Sequence, residues 1–293
     1  MSLTFYIVNA FTTDSFRGNP AAVVFIDDLQ DTALMQNIAK NLNQPMTAFL
    51  RRDAADAQSA DEPQTATFDV RWFTAQTEAP LCGHATIASS GLMFSVPGLI
   101  PPTVQSIVYR TKSGLVLTTK KAGEWIELSM VAAQIHEFSA EKTAQYSTIV
   151  SKALGKEVHV KFAGEGLGPF AIYAYAEIDV EDDLAGCVPK PLHFLESDHI
   201  VNVITSSSPD PHVSFLSRMF APEAGVPEDH VCGSAHCLLT PYWAGKLEKG
   251  GVEMSAKQVS TRGGDIRAAW REAEGHITLS GQIKITTKGD LLL

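Results

Sequence analysis

Arg71-Trp72-Phe73-Thr74, seven residues, then Cys82-Gly83-His84-Ala85-Thr86-Ile87-Ala88-Ser89: the chain holds this stretch twice. The second copy reads Arg218-Met219-Phe220-Ala221-Pro222, nine residues, then Cys232-Gly233-Ser234-Ala235-His236-Cys237-Leu238-Leu239. The Cys-Gly-x-Ala cores lie 150 positions apart and the Arg-x-Phe runs 147, about half the chain. Two further echoes keep the shift. Gly114 in Ser113-Gly114-Leu115 answers to Gly264 in Gly263-Gly264-Asp265, 150 apart, and Ile126 answers to Ile277, 151 apart. A shift that holds at several points marks a duplication. The expectation is two similar halves related by a pseudo-two-fold, residues 1–130 and 135–283, linked near Val131 to Gln134.

With 293 residues, 45% of them hydrophobic, the chain is long enough for two cored domains. A net charge of -10 gives no basic surface for nucleic acid or anionic lipid. No stretch reaches 18 uninterrupted apolar residues and the first residues lack a basic, signal-like start, so a soluble, cytoplasmic protein without membrane contact is expected. Four cysteines are too few for a disulfide framework, and Cys232 and Cys237 lack the neighbours a tetrahedral metal site needs.

Local patterns place the elements. Thr4 to Ala10 alternates as a strand, and the turn Phe16-Arg17-Gly18-Asn19-Pro20 leads into a second at Ala21 to Phe25. Asp31 is placed to cap a helix reaching Leu42, with Leu34, Ile38 and Leu42 on its core face. Met46 to Leu50 is extended, Arg51 to Gln64 reads as a polar loop, and Ala66 to Phe73 is a strand. His84 to Phe94 suits a buried helix ended by Pro97-Gly98. Strands follow at Ile107 to Tyr109, Leu115 to Thr119 and Trp125 to Ser129. The second half carries a helix over Ala140 to Leu154 and strands at Val158 to Phe162, Phe170 to Glu177, Val201 to Thr205 and Val213 to Phe220. A helix then begins after Gly233, kinked or shortened by Pro241, before closing strands through Ile285.

In each half a strand thus passes through a short loop into Cys-Gly and a helix. The first helical amides have no intrahelical acceptor and carry the positive end of the dipole, so a carboxylate docks there, and Gly83 and Gly233 let it approach the backbone. If the halves pack face to face, both helix starts reach one cleft, and a proton can leave and return to an anionic substrate whose carbanion the dipoles stabilise. Cys82, His84, Asp229, Cys232 and Ser234 are the candidate groups. A thiol in such a place has its pKa lowered from about 8.5 to roughly 3.5–7.5. His236 and Cys237 read as core.

These residues identify a resemblance to the phenazine-biosynthesis PhzF-like family of the diaminopimelate epimerase-like superfamily. It rests on Ala10-Phe11, Phe16 to Val23, Arg71 to Thr74 with Glu78, Cys82 to Thr86, Phe220-Ala221-Pro222, Glu228-Asp229, Gly233 to His236 and Arg262-Gly263-Gly264. The resemblance implies an α+β fold of two similar domains, each a mostly antiparallel sheet or barrel around a central helix, with residues 284–293 returning to the first. It further implies a homodimer, no cofactor and no metal, and isomerisation of a small anionic metabolite by proton transfer. His84, Asp229 and Ser234 fall on the family's polar active-site positions, and Asn19, Met46, Gly83, Gly233 and Ser234 are the expected substrate contacts.

The family's Ser-Glu-Thr-x-Phe motif is here Pro45-Met46-Thr47-Ala48-Phe49, and Asn9 stands where Asp is usual. A thioether carries no proton, and a positioned base contributes about 10²–10⁴-fold. Two repairs remain open: Cys82 with Cys232 as a two-base pair, as in the related epimerases, or His84 with Asp229. Two functions remain open as well, an isomerase of carboxylate metabolites and a scaffold of the same fold that lost its base at Met46.

Overall fold

Residues far apart in sequence close the first sheet. Strand β1 (Ser2–Ala10) lies antiparallel to β2 (Asn19–Phe25) on one side and to β18 (Ile283–Leu292) on the other, with Ser2 opposite Leu292. This computed structural model describes residues 2–53 and 64–293. The chain divides into two compact units, Met1–Ser129 with Leu279–Leu293, and Met130–Thr278.

In the first unit helix α1 (Thr32–Leu42) carries the chain from β2 to the parallel β3 (Met46–Arg52). The Asp31 carboxylate accepts from the Leu34 amide at 2.9 Å, and Asn43 ends the helix in the left-handed conformation. Met35, Ile38 and Ala39 face a core with Val24, Phe49 and Phe73. Then come β4 (Thr65–Phe73), antiparallel to β3, the short β5 (Glu78–Ala79), helix α2 (Gly83–Ser95), β6 (Ser106–Thr111), β7 (Val116–Ala122) and β8 (Trp125–Val131).

Helix α2 is buried from Gly83 to Met93 and packs against β1, β2, β3, β7 and β18, so strands surround it. It has no polar stripe, and its hydroxyls are satisfied inside. Ser90 Oγ bonds the Thr86 carbonyl, the Tyr109 hydroxyl at 2.6 Å and Thr119 Oγ1 at 2.8 Å, which ties the helix to β6 and β7.

The second unit holds β9 (Ile135–Glu137), α3 (Ala140–Leu154), β10 (Val160–Gly166), β11 (Tyr173–Ile178), β12 (Val201–Ser207), β13 (Phe215–Ala221), β14 (Val226–Asp229), α4 (His236–Lys246), β15 (Met254–Gln258), β16 (Gly264–Arg271) and β17 (His276–Gly281). Its pairing repeats that of the first. As β2–β3 is parallel, β3–β4 antiparallel, β4–β5 antiparallel, β4–β6 parallel and β6–β7 antiparallel, so are β11–β12, β12–β13, β13–β14, β13–β15 and β15–β16. The duplication read from the Cys-Gly cores therefore extends to strand order and direction.

Two boundaries differ from expectation. The helix expected directly after Gly233 begins at His236, because Gly233, Ser234 and Ala235 form a tighter turn in which His236 N bonds Gly233 O and Cys237 N bonds Ser234 O. Pro241 sits inside this short helix of 11 residues, and the acceptor its missing N–H leaves, Cys237 O, is taken by the Ala133 amide at 2.9 Å. The last strand, which local pattern carries through Ile285, runs to Leu292 along β1, so residues 284–293 lie in the first unit. Of the polar loop expected at 51 to 64, Arg51 and Arg52 end β3, and positions 54–63 lie outside the described residues. No helix among the described residues is long and apolar enough to cross a membrane.

Candidate active site

The duplicated Arg is what aims each Cys-Gly turn. Arg71 on β4 is buried and meets both carboxylate oxygens of Glu78 at 2.7 Å, while its Nη1 donates to the Leu29 carbonyl and its guanidinium lies over the Phe73 ring. Arg218 on β13 repeats this with Glu228 at 2.7 and 3.0 Å, with the Leu184 and Cys187 carbonyls, and over Phe220. Each bidentate pair pins the strand to the hairpin partner that leads into the cysteine. The Arg71 guanidinium holds the Glu78 carboxyl below its usual range.

In the first unit Cys82 is the N-cap of α2. Its carbonyl accepts from Thr86 Oγ1 at 2.7 Å and the Thr86 amide at 3.2 Å, and its thiol lies 3.3 Å from His84 Nδ1. Both side chains are buried. Met46 opens β3 opposite Ala21 of β2, and Asn19 opens β2 opposite Ala10; both are buried and begin a parallel strand pair at the same end. Asn9, on β1, donates its amide to the Ser15 carbonyl at 3.0 Å, so it holds the 11–18 loop.

In the second unit Cys232 lies 3.3 Å from Ser234 Oγ, and Ser234 in turn lies 2.8 Å from the Tyr173 hydroxyl. Burial, and then the neighbouring Asp229 carboxylate, push the Cys232 thiol up to about 12. This corrects the expectation of an acidified thiol there: removal from water and a like charge outweigh the helix-start amides. Gln258, buried at the end of β15, brackets the loop by donating Nε2 to the Asp229 carbonyl at 2.7 Å and accepting the Cys232 amide on Oε1 at 2.8 Å. Ser260 donates to the His230 carbonyl at 2.6 Å. His236 Nδ1 lies 2.9 Å from the Cys232 carbonyl and donates to it, as Thr86 does in the first unit, and burial lowers the imidazole to about 4. His236 is thus a neutral structural brace, as its position in the sequence suggests, and Cys237 is buried beside it.

The structure gathers Asp229, Cys232, Gly233 and Ser234 in one unit, and Cys82, Gly83 and His84 in the other. The shift of 150 pairs Ala79 with Asp229 and His84 with Ser234. One thiol therefore has an imidazole neighbour and the other a carboxylate and a hydroxyl. Tyr173 on β11, Gln258 at the end of β15 and Ser260 just past it are absent from the residues the sequence proposes, since they reach the loop from 26 to 61 positions away. The repeat marks Arg71 and Arg218 but leaves their role, pinning Glu78 and Glu228, to the structure. Among the described residues no three His, Cys, Asp or Glu gather as a metal site.

A family model described as phenazine biosynthesis-like protein matches residues 8–289. The chain belongs to the phenazine biosynthesis-like family. Within this isomerase and epimerase family, an uncharacterised isomerase of Halalkalibacterium halodurans is 35% identical over the whole of both chains. The crystal structure of a phenazine biosynthesis PhzF-family protein from Enterococcus faecalis is 30% identical, covers all of both chains and superposes with a TM-score of 0.81. A hydroxyproline epimerase from Agrobacterium vitis, 12% identical over 99% of this chain and 91% of that one, shares the fold at a TM-score of 0.59.

Proposed function

We propose that this phenazine biosynthesis-like protein is a cofactor-independent isomerase that moves a proton on a small carboxylate-bearing metabolite, with Cys82 and Cys232 as the proton carriers. The observation that carries the reading is the repeated turn, in which each unit sets a thiol 3.3 Å from the side chain two residues on. The different neighbours divide the work. His84 takes the Cys82 proton, and the thiolate so formed removes the substrate's carbon-bound proton. Cys232, kept protonated by burial and Asp229, returns one, so proton count is conserved and nothing is oxidised. The amides beginning at Gly83 and Gly233 hold the carboxylate and the enolate that develops. Met46 and Asn19 contribute an uncharged wall.

The test is solvent exchange. The protein is incubated in D2O with amino acids and cyclic acids, including the 4-hydroxyproline bound by the Agrobacterium vitis neighbour, and deuterium at the α-carbon is followed by NMR. Exchange should fall by roughly 100-fold or more in Cys82→Ser and in Cys232→Ser. Exchange unchanged in both variants removes the thiols from the mechanism.

Met46 favours a second reading, a ligand-binding scaffold without turnover, since a buried thioether occupies the position of the family's Glu. Exchange that appears only in Met46→Glu supports it. The homodimer the family suggests is checked by light scattering.

A further inference from the structure

Cys232, Ser234 and Tyr173 form a hydrogen-bonded row whose direction is fixed by its chemistry. Tyr173 opens β11, its ring packed on Phe170 with centroids 5.5 Å apart, and its hydroxyl lies 2.8 Å from Ser234 Oγ. Ser234 Oγ lies 3.3 Å from Cys232 Sγ, and the thiol has the Asp229 carboxylate within hydrogen-bond reach. An ionised carboxylate only accepts, so the thiol donates to Asp229. The sulfur lone pair then takes the Ser234 proton, and the Ser234 lone pair takes the Tyr173 proton. The reverse order would need the thiol to donate to Ser234 instead of Asp229, leaving the carboxylate without that donor, and the Tyr173 proton turned away from Ser234.

We propose that Tyr173 is a positioning residue, which turns the Ser234 hydroxyl so that its proton points at the Cys232 sulfur. The role in catalysis rests on the reading of Cys232 as a proton carrier; the hydrogen-bonded row does not. When Cys232 gives its proton to substrate, the thiolate left behind is met at once by an oriented donor, with no hydroxyl rotation needed. Asp229 at that moment is a neighbouring negative charge, so the Ser234 donor is what offsets it. The device belongs to one unit only. Strand register sets Ala21, a methyl side chain on β2, in the place of Tyr173, and the shift of 150 sets His84 in the place of Ser234.

The test reads the S–H stretch of Cys232 by infrared difference against Cys232→Ser, in the full-length protein. A sulfur that accepts a hydrogen bond donates its own proton more strongly, which lowers the stretch. Ser234→Ala should raise the frequency, Tyr173→Phe should raise it less, and the double variant should sit where Ser234→Ala sits. A Tyr173→Phe band at the wild-type position, or a further shift when the Ser234 hydroxyl is already gone, overturns the proposal. Should Tyr173→Phe fail to fold, the row is read from its other end: Ser234→Ala must speed exchange of the Tyr173 hydroxyl proton with solvent, and an unchanged rate overturns the proposal equally. On any acid that exchanges, Tyr173→Phe should lower kcat roughly 3- to 10-fold, the weight of one neutral hydrogen bond, with KM within about twofold. If no acid exchanges, the isomerase reading falls while the infrared result still decides the row.

Discussion

At the residue scale the two Cys-Gly turns are held by unlike means to the same end, and the difference shows in their response to acid. Thr86 and His236 both donate to the carbonyl of the cysteine four residues earlier, but only His236 titrates. Its folded pKa, about 4, is below the ordinary 6.5, so the unfolded chain takes up the proton first. Its contribution is complete above pH 6.5 and is lost as pH falls toward 4, by about 3 kcal/mol. Urea titrations of His236→Gln, which keeps a donor without a titrating ring, should show a correspondingly flatter stability over that range. Arg218 supplies a second prediction. Its loss in Arg218→Ala leaves Glu228 half-buried and unpaired, a cost of about 3–5 kcal/mol measured by the same titrations, and Arg218→Lys cannot restore the fork. These two residues also mark how far the sequence could be read. The repeat announced Arg218 and the Cys-Gly cores. Nothing in it announced Gln258 or Tyr173, because contact between a strand end and a distant loop leaves no periodic trace.

At the element scale, helix α2 is fitted to its neighbours at one point more tightly than elsewhere. A Cβ on Gly91 would stand 2.4 Å from Ile283 Cγ1 and 3.2 Å from Ile283 Cβ, atoms near the root of a side chain that cannot swing away. Gly91→Ala gains about 1 kcal/mol of helix propensity, yet overpacking costs about 1–3 kcal/mol, so a net loss of stability is expected. Calorimetry of Gly91→Ala with Ile283→Ala should recover part of it, since the second change removes the obstructing branch. Most elements were legible: α1 from Asp31 and its apolar face, α3 from end to end, α2 from its unbroken small and apolar run. The start of α4 was not. A Gly-Ser-Ala turn and a helix look alike in composition, and the carbonyl that accommodates Pro241 is satisfied by Ala133, a partner no local pattern reveals.

At the scale of the whole molecule, strand order repeats between the units while chemistry does not. Parallel and antiparallel pairs recur in the same succession, yet Ala79 stands in the place of Asp229, Ala21 in that of Tyr173, and His84 in that of Ser234. Duplication preserved the frame, and divergence at three positions made one thiol's surroundings basic and the other's acidic. A chain ending at Gln282 lacks β18 and so lacks one flank of β1 and the branch that meets Gly91. Hydrogen exchange followed by mass spectrometry should then show protection lost across β1 and α2, with β10 to β13 retaining theirs.

The pairing of Ser2 with Leu292 sets a timetable. As the polypeptide leaves the ribosome, the contiguous stretch Met130–Thr278 has all its partners in hand, whereas the earlier-made Met1–Ser129 must wait for Leu279–Leu293. The half translated first is the half completed last, and in that interval β1 presents an open edge on which chaperones or a neighbouring nascent chain can act.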